Sequence, residues 1–534
     1  LRSVRDAAFD VLRQHGMTTL FGNPGSTEVP LLTDLPPDLQ LVLALHEGSV
    51  VGAATGWALV RDEPALALLH TTAGLGNAVG ALATARVNRA PVVAVVGQQD
   101  RRHLAQEPFL AGKLEGLAGE YPLSTETPPR AQDVPGALAR AAHTARVGRG
   151  PALVVVPSGD WAEPAEELPL PSPAVLRTAV GADASAAAEL AAMLARAHSP
   201  ALLVGAGADR SETWAALVEV AERLGCPVVQ EPFGARAGFP QDHPCFAGHL
   251  PADRGRLREV LAAYDLVVAV GAPVVRQYPY EEGALAPPGT RLALVTDDLA
   301  EARRSPAALA YLAPLAEFTA ALAAALPARA GRPLPRTAAR PAPPPPPRDG
   351  CPLHARHVLA ALAERLPAET VLVEEAPSDR PELHARVPAR APLGFLSAAM
   401  GGLGFALPAA VGVRMGAPRR PVVAVVGDGS SLYQIQALWT AAHYGVGVLV
   451  VVFANGGYRV LDRLAEREGG EPPWPSLRGV DVAGLARSLG CEARRVEQHG
   501  ALERELDATV PGLAGREGPL VLEVAVGVER DFRP

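Results

Sequence analysis

Short apolar runs recur along this chain, and they restrict the fold more than any other feature. PVVAVVG at 91–97, DLVVAVG at 265–271 and RPVVAVVG at 420–427 are close variants of one pattern. Each holds five consecutive apolar residues and ends in glycine. Such runs read as strands buried on both faces. LQLVLAL and PALALLH accompany the first of them. PALLVG, CPVVQ and RLALVT accompany the second, and TVLVEE, GVLVVVFAN and GPLVLEV the third. Ala-rich helical stretches lie between, such as VRDAAFDVLRQHG and DASAAAELAAMLARA. Strands alternating with helices imply α/β domains with mainly parallel sheets.

Two Pro-rich breaks divide the pattern. One is PSGDWAEPAEELPLPSPA near 157–174; the other is RPLPRTAARPAPPPPPRDG at 332–350. The second is expected to be an extended tether. The division gives an N-terminal domain at 1–165, a middle domain at 175–330, a linker at 331–350 and a C-terminal domain at 351–534. Three domains suit 534 residues at roughly 150 residues each.

Composition excludes some function classes. The net charge is −8 and no Lys/Arg cluster stands out, which argues against a nucleic-acid binder. Cys226, Cys245, Cys351 and Cys491 are far apart and form no CxxC, so neither a zinc site nor a redox pair is suggested. The N-terminal stretch is charged throughout and lacks a secretory apolar core. The apolar run Ala398–Val413 is shorter than the roughly 20 residues a membrane span needs. A cytoplasmic protein with no membrane partner is the expectation.

The ends of two strands carry the chemistry. Val422–Val426 runs into Gly427-Asp428-Gly429-Ser430, and Val446–Phe453 runs into Ala454-Asn455-Gly456-Gly457. In parallel sheets, ligands bind at the carboxyl ends of strands. Asp428 and Asn455 are oxygen ligands, and such oxygens suit Mg²⁺, which keeps few protein ligands and adds phosphate oxygens. The amides of Gly429 and Ser430 are expected to open a helix through LYQIQALWTAAHYG, whose N-terminus favours anions. A diphosphate bridged by Mg²⁺ would satisfy all these groups.

GDGS followed about 27 residues later by ANGGY resembles the cofactor motif of thiamin-diphosphate-dependent enzymes. FGNPGSTEVPLL, ALHEGSVVGAATGWA, LHTTAGLGNAVGAL, HPCFAGHLPA, GAPVVRQYPYEEG and AAMGGLGFALPAAVGV narrow the resemblance to benzoylformate decarboxylases, over essentially the whole chain. The resemblance implies three doubly wound parallel-sheet domains: pyrimidine-binding, middle and diphosphate-binding. It implies thiamin diphosphate with Mg²⁺ or Ca²⁺, held by Asp428, Asn455 and the Gly457 carbonyl. Glu47 would hydrogen-bond the aminopyrimidine ring. Ser378, Gly429, Ser430 and Tyr458 would also bind the cofactor, as would the Gly401 carbonyl and Leu403. Ser26 would bind the substrate carboxylate, and His70 would be an acid/base. Pro24, Gly25, Leu110 and Ser397 would join them in the substrate pocket, with Phe109 at its mouth. Glu47 of one subunit would meet Asp428 and Asn455 of another, giving a dimer of dimers.

The sequence departs from that family in places. The first Asn of its usual Asn-Asn-Gly is Ala454. Pro377 stands where a hydroxyl would contact the diphosphate. Tyr278 stands where the family has a second catalytic histidine. Tyrosine donates hydrogen bonds, but a pKa near 10 makes it a poor base. The leading reading is decarboxylation of an aromatic or bulky 2-keto acid to an aldehyde and CO₂. The alternatives are a carboligase or synthase using the same enamine, and a catalytically impaired cofactor-binding homologue. A nucleotide-dependent oxidoreductase fits poorly, because LLVGAGADR places Arg210 where the dinucleotide fingerprint has its third glycine. Ser26 has a structural alternative as a helix cap in GSTE.

Overall fold

A computed structural model describes residues 2–178, 181–278, 280–327, 334–335, 340–348 and 350–528. The first sheet holds β1 (Thr19–Gly22), β2 (Gln40–Leu43), β3 (Ala65–His70), β4 (Val92–Gln98), β5 (Ser124–Glu126) and β6 (Pro151–Pro157), in the order β2-β1-β3-β4-β6-β5. The second holds β7 (Pro200–Val204), β8 (Val228–Gln230), β9 (Phe246–His249), β10 (Leu266–Val270), β11 (Arg291–Thr296) and β12 (Leu309–Leu312), in the order β12-β11-β10-β7-β8-β9. The third holds β13 (Leu353–His354), β14 (Val371–Glu375), β15 (Phe395–Ser397), β16 (Val422–Gly427), β17 (Leu449–Ala454), β18 (Glu492–Val496) and β19 (Leu520–Gly527). Its order is β13-β19-β17-β16-β14-β15, with β18 beside β19.

The strand pairs within these sheets are parallel, as the unbroken apolar runs require. All seven residues of β4 are buried, as are five of the six of β16. The expected three-domain α/β architecture is therefore present.

One apolar core runs from the first sheet into the third. Its hinge is a pair of helices, Glu47–Arg61 and Ala406–Gly416. They lie side by side in the same direction, since Gly52 meets Pro408 and Gly416 meets Val60. Their backbones almost touch. A Cβ on Gly412 would lie 1.8 Å from the Ala53 carbonyl oxygen. That approach places the starts of the two helices together, and those starts carry Glu47 and the turn at Gly404.

One expectation needs correction here. The helix expected through 432–445 is broken into Asp428–Ser431 and Ala437–His443. Gln434 is the cause. It accepts from Ser49 Oγ at 2.6 Å, and its Nε2 lies 3.2 Å from His46 Nδ1. Bonds to the neighbouring domain outweigh local helix propensity. The proline-rich tether, expected to be extended, forms no helix or strand where it is described; residues 331–333, 336–339 and 349 lie outside the described residues. Arg340 pins it by donating to the carbonyls of Ala385 and Gln241 at 3.0 and 2.9 Å.

The middle domain meets the third through stacked imidazoles. The rings of His249 and His384 are 3.7 Å apart and nearly parallel. Their edges keep some exposure, yet burial dominates their titration. It pushes His249 down to about 3, with Arg340 and Arg380 adding repulsion, and holds His384 well below its usual value, with His249 and Arg380 adding to it. Unfolded, each ring titrates near 6.5. Below that pH the unfolded chain takes up protons that the folded chain refuses, so stability falls as pH falls. Lowering pH from 7 to 5 is expected to cost on the order of 2 kcal/mol through His249, with His384 acting in the same direction. Denaturant titrations at the two pH values check this, and a His249→Phe/His384→Phe pair should flatten the difference.

Candidate active site

In the third sheet the strand order reverses between β14 and β16, and such a switch point is where open α/β sheets bind ligands. Asp428 lies there, buried. Its Oδ1 accepts from the Gly429 amide at 2.8 Å and its Oδ2 from the Gly456 amide at 2.6 Å. The carboxylate thus ties the tip of β16 to the tip of β17. Burial holds its carboxyl above the usual range, against the pull of those two amides. Asn455 Oδ1 accepts from the Gly457 amide at 3.1 Å. Tyr458 lies over Gly429 so closely that a Cβ there would be 2.6 Å from its ring. Ser378 and Asn455 line one cleft, together with Arg459 and Gly527.

This donor set fits a hard divalent cation. It has one carboxylate, one side-chain amide oxygen and nearby main-chain carbonyls, with room for phosphate oxygens. It would not register as a cage of acidic or His/Cys ligands, and among the described residues no cluster of three such side chains exists.

The first sheet reverses between β1 and β3. Asn23, Pro24, Gly25 and Ser26 follow β1, Glu47 opens the helix after β2, and His70 ends β3. Glu47 is 7% exposed. Its Oε1 accepts from Asn23 Nδ2 at 3.1 Å and its Oε2 from Asn77 Nδ2 at 3.0 Å. Neither asparagine belongs to the set expected from sequence. Val50, Val51 and Ala53 are buried along the same helix, but two amides contact the carboxyl itself.

His70 Nδ1 lies 3.0 Å from Glu28 Oε2 and 2.9 Å from Thr27 Oγ1. Glu28 is nearly inaccessible and also accepts from the Gly25 amide at 2.8 Å and from Thr27 Oγ1 at 2.5 Å. Burial raises its carboxyl above the usual range, although Thr27, Gly25 and His70 pull the other way. The backbone turns sharply after the histidine, with φ 38° at Thr71. Glu28 was hidden by the reading of GSTE as a helix start. The helix there is a single turn, Val29–Leu32, with Glu28 at its cap position and no side-chain cap. Ser26 caps nothing and is exposed. The sequence did hold one sign of Glu28. A Cβ on Gly97, which ends PVVAVVG, would lie 1.7 Å from Glu28 Oε1.

Other expected residues are placed differently. Ser397 is buried at the end of β15, and its hydroxyl donates to the Gly234 carbonyl at 3.3 Å. That hydroxyl is turned to the middle domain. Leu110 and Phe109 are exposed, Phe109 almost fully. Gly401 is exposed at φ 75°, and Leu403 is half-buried. Tyr278 is 59% exposed beyond β10, and its amide donates to the Ala252 carbonyl at 3.1 Å. Its neighbour Pro279 lies outside the described residues. Among the described contacts, none joins Tyr278 to Ser26 or His70, and none joins Glu47 to Asp428 or Asn455. Glu375, also missed, accepts three amides of the Gly404–Ala406 turn.

Three family models match the chain in order. They describe the N-terminal TPP binding domain, the central domain and the C-terminal TPP binding domain of thiamine pyrophosphate enzymes, over residues 2–114, 187–322 and 382–524. The chain belongs to the thiamine pyrophosphate enzyme family. Within that family it is 38% identical to a benzoylformate decarboxylase of Pseudomonas aeruginosa, over 98% of this chain and 99% of that one. It is 29% identical to a putative acetolactate synthase large subunit of Mycobacterium tuberculosis, over 97% and 98%. Among solved structures, a thiamine diphosphate-dependent 4-hydroxybenzoylformate decarboxylase of Rhodococcus jostii superposes with a TM-score of 0.93 at 33% identity, over 99% of this chain and 100% of that one. This thiamine pyrophosphate enzyme is thus similar to benzoylformate decarboxylases over nearly its whole length.

In the middle domain the strand order reverses between β7 and β10, and a cleft lined by Gly207, Glu231, Gly271, Ala272, Arg276 and Asp298 opens there. The Gly207 amide donates to the Gly271 carbonyl at 2.8 Å, and a Cβ on Gly207 would strike Gly271 at 2.9 Å. No helix among the described residues is long and apolar enough to cross a membrane.

Proposed function

We propose that this enzyme decarboxylates an aromatic or bulky 2-keto acid, releasing CO₂ and an aldehyde. The observation that carries the reading is the Glu28–His70 pair beside Ser26, at the switch point of the first sheet. When bound, thiamin diphosphate supplies the nucleophile and the electron sink.

The chain's own residues have separable tasks. Asp428, Asn455 and the Gly457 carbonyl would hold Mg²⁺ or Ca²⁺. Gly429, Ser430, Tyr458 and Ser378 would surround the diphosphate, with Gly401 and Leu403 against the rings. Glu47 would hold a proton at the aminopyrimidine nitrogen, in a pocket whose only described partners are two neutral amides. Ser26, exposed and uncommitted, would bind the substrate carboxylate. His70 has Nδ1 occupied by Glu28 and Thr27, which leaves Nε2 to move a proton at the substrate oxygen. Pro24, Gly25 and Leu110 would wall the pocket.

The assembly expected with this reading is a dimer of dimers, in which Glu47 of one copy and Asp428 and Asn455 of another hold opposite ends of one cofactor. Tyr278 would enter such a site in place of a second histidine. Its phenol is a weaker proton carrier near neutrality, and this favours a second reading. In that reading the enzyme joins the decarboxylated keto acid to an acceptor aldehyde or keto acid, as a synthase does.

The deciding experiment supplies benzoylformate with thiamin diphosphate and Mg²⁺, then repeats it after chelation. Cofactor-dependent CO₂ and benzaldehyde are the expected products. Bound cofactor without turnover, together with condensation of two aldehydes, would overturn the decarboxylase reading in favour of the synthase.

A further inference from the structure

We propose that Glu375 is a positioning residue that locks the Gly401–Leu403 loop in the shape that receives the cofactor, and so governs how tightly thiamin diphosphate is held. This inference rests on the functional reading above.

Glu375 ends β14, and in register it faces Val426, two residues before Asp428. It therefore stands across the switch point from Asp428. Its Oε1 accepts from the Gly404 amide at 2.7 Å, and its Oε2 accepts from Phe405 and Ala406, both at 2.7 Å. These amides open the Ala406–Gly416 helix. A helix start is usually satisfied by Ser, Thr, Asn or Asp at the cap itself. Here the cap residue is Phe405 with no side-chain cap, and the acceptor comes from a strand about 30 residues earlier. The arrangement fixes the loop to the sheet as well as finishing the helix.

The loop needs such an anchor. Gly401 and Gly404 both have positive φ, at 75° and 92°, so local sterics do not set its path. Its first end is held by Asn88, whose Oδ1 accepts from the Ala399 amide and whose Nδ2 donates to the Ser397 carbonyl, both at 2.9 Å. Its second end is held by Glu375. Between them, the amides of Gly402 and Leu403 make no described hydrogen bond. Leu403 hangs between two fixed points.

Glu375 also bears a cost that a mere cap would avoid. Its neighbour Glu374 points to the opposite face, where Arg380 pairs with it at 2.8 Å. Glu375 is 4% exposed and has three amides but no described cation partner. Burial, reinforced by Glu374, pushes its carboxyl up to about 7 despite those amides. An acid kept there against desolvation points to a task beyond helix stability.

The test is isothermal titration of thiamin diphosphate, at saturating Mg²⁺, into the wild type and Glu375→Gln. The glutamine keeps the size but turns an NH₂ toward a backbone N–H. The expected result is a Kd at least tenfold weaker, with apo Tm within a few degrees of the wild type. The reverse result, a lowered apo Tm with an unchanged Kd, describes a helix cap and overturns the inference. If the glutamine variant does not fold, Glu375→Asp, which keeps the charge but withdraws it from the loop, is expected to weaken Kd in the same direction; an unchanged Kd there overturns it equally. A wild type that binds no thiamin diphosphate overturns the functional reading and this inference together. A wild type that binds, beside a variant that binds equally well, overturns this inference alone.

Discussion

Glu47→Gln is expected to lower turnover by about 10²–10⁴-fold, the range of a lost acid–base group, while the fold survives. The structure explains why the two effects separate. Glu47 is held by Asn23 and Asn77 through neutral amides. Either asparagine can rotate its amide and present oxygen in place of NH₂, so a glutamine at 47 can be satisfied without moving the helix. What it cannot do is carry an ionisable proton. Measured together, kcat, cofactor Kd and apo Tm give a clear answer. A fall in kcat with Kd and Tm nearly unchanged supports the proton role. Turnover within threefold of the wild type sinks it, and a collapse of Tm would make Glu47 a structural residue. In the proposed dimer, where Glu47 of one copy and Asp428 of the other serve one site, mixing inactive Glu47→Gln with inactive Asp428→Ala subunits should restore part of the activity.

How much of this site could be read in the sequence depended on where each residue finds its partners. Asp428 and Asn455 were legible because each follows an unbroken apolar run, and parallel sheets put ligands at that end. Glu47 and His70 were legible only through family resemblance, since a lone acid or histidine has many structural uses. Glu28, Asn23 and Asn77 were not legible. Their partners lie 24 to 42 residues away, and local pattern carries no record of such contacts. Glu375 was hidden for the same reason, within a strand read simply as apolar. Strand β6 was missed because prolines bound it at both ends and the Pro-rich break begins at its last residue. The Gln434 break failed in the opposite sense. The helical pattern was sound locally, and bonds to Ser49 and His46 overrode it.

Asp428→Ala is expected to abolish the thermal stabilisation that thiamin diphosphate and Mg²⁺ confer on the wild type. A ligand at a hundred times its Kd adds about 2.7 kcal/mol, and for domains of this size each kcal/mol is worth roughly 2–4 °C. The wild type should therefore gain several degrees, and the variant none. Asp428 has a second task that complicates the reading. Its oxygens also accept the Gly429 and Gly456 amides, and stranding them costs about 1–3 kcal/mol, so the apo variant should itself melt earlier. Asn455→Ala separates the two tasks. Among the described contacts its side-chain oxygen accepts from Gly457 alone, and the strand tie through Asp428 stays intact. The expected outcome is a lost or sharply reduced cofactor shift in both variants, with apo Tm lowered only in Asp428→Ala. An Asn455→Ala protein that keeps the full shift would remove Asn455 from the metal site. An Asp428→Ala protein that keeps it would leave the carboxylate as a strand tie alone, with no part in holding the diphosphate.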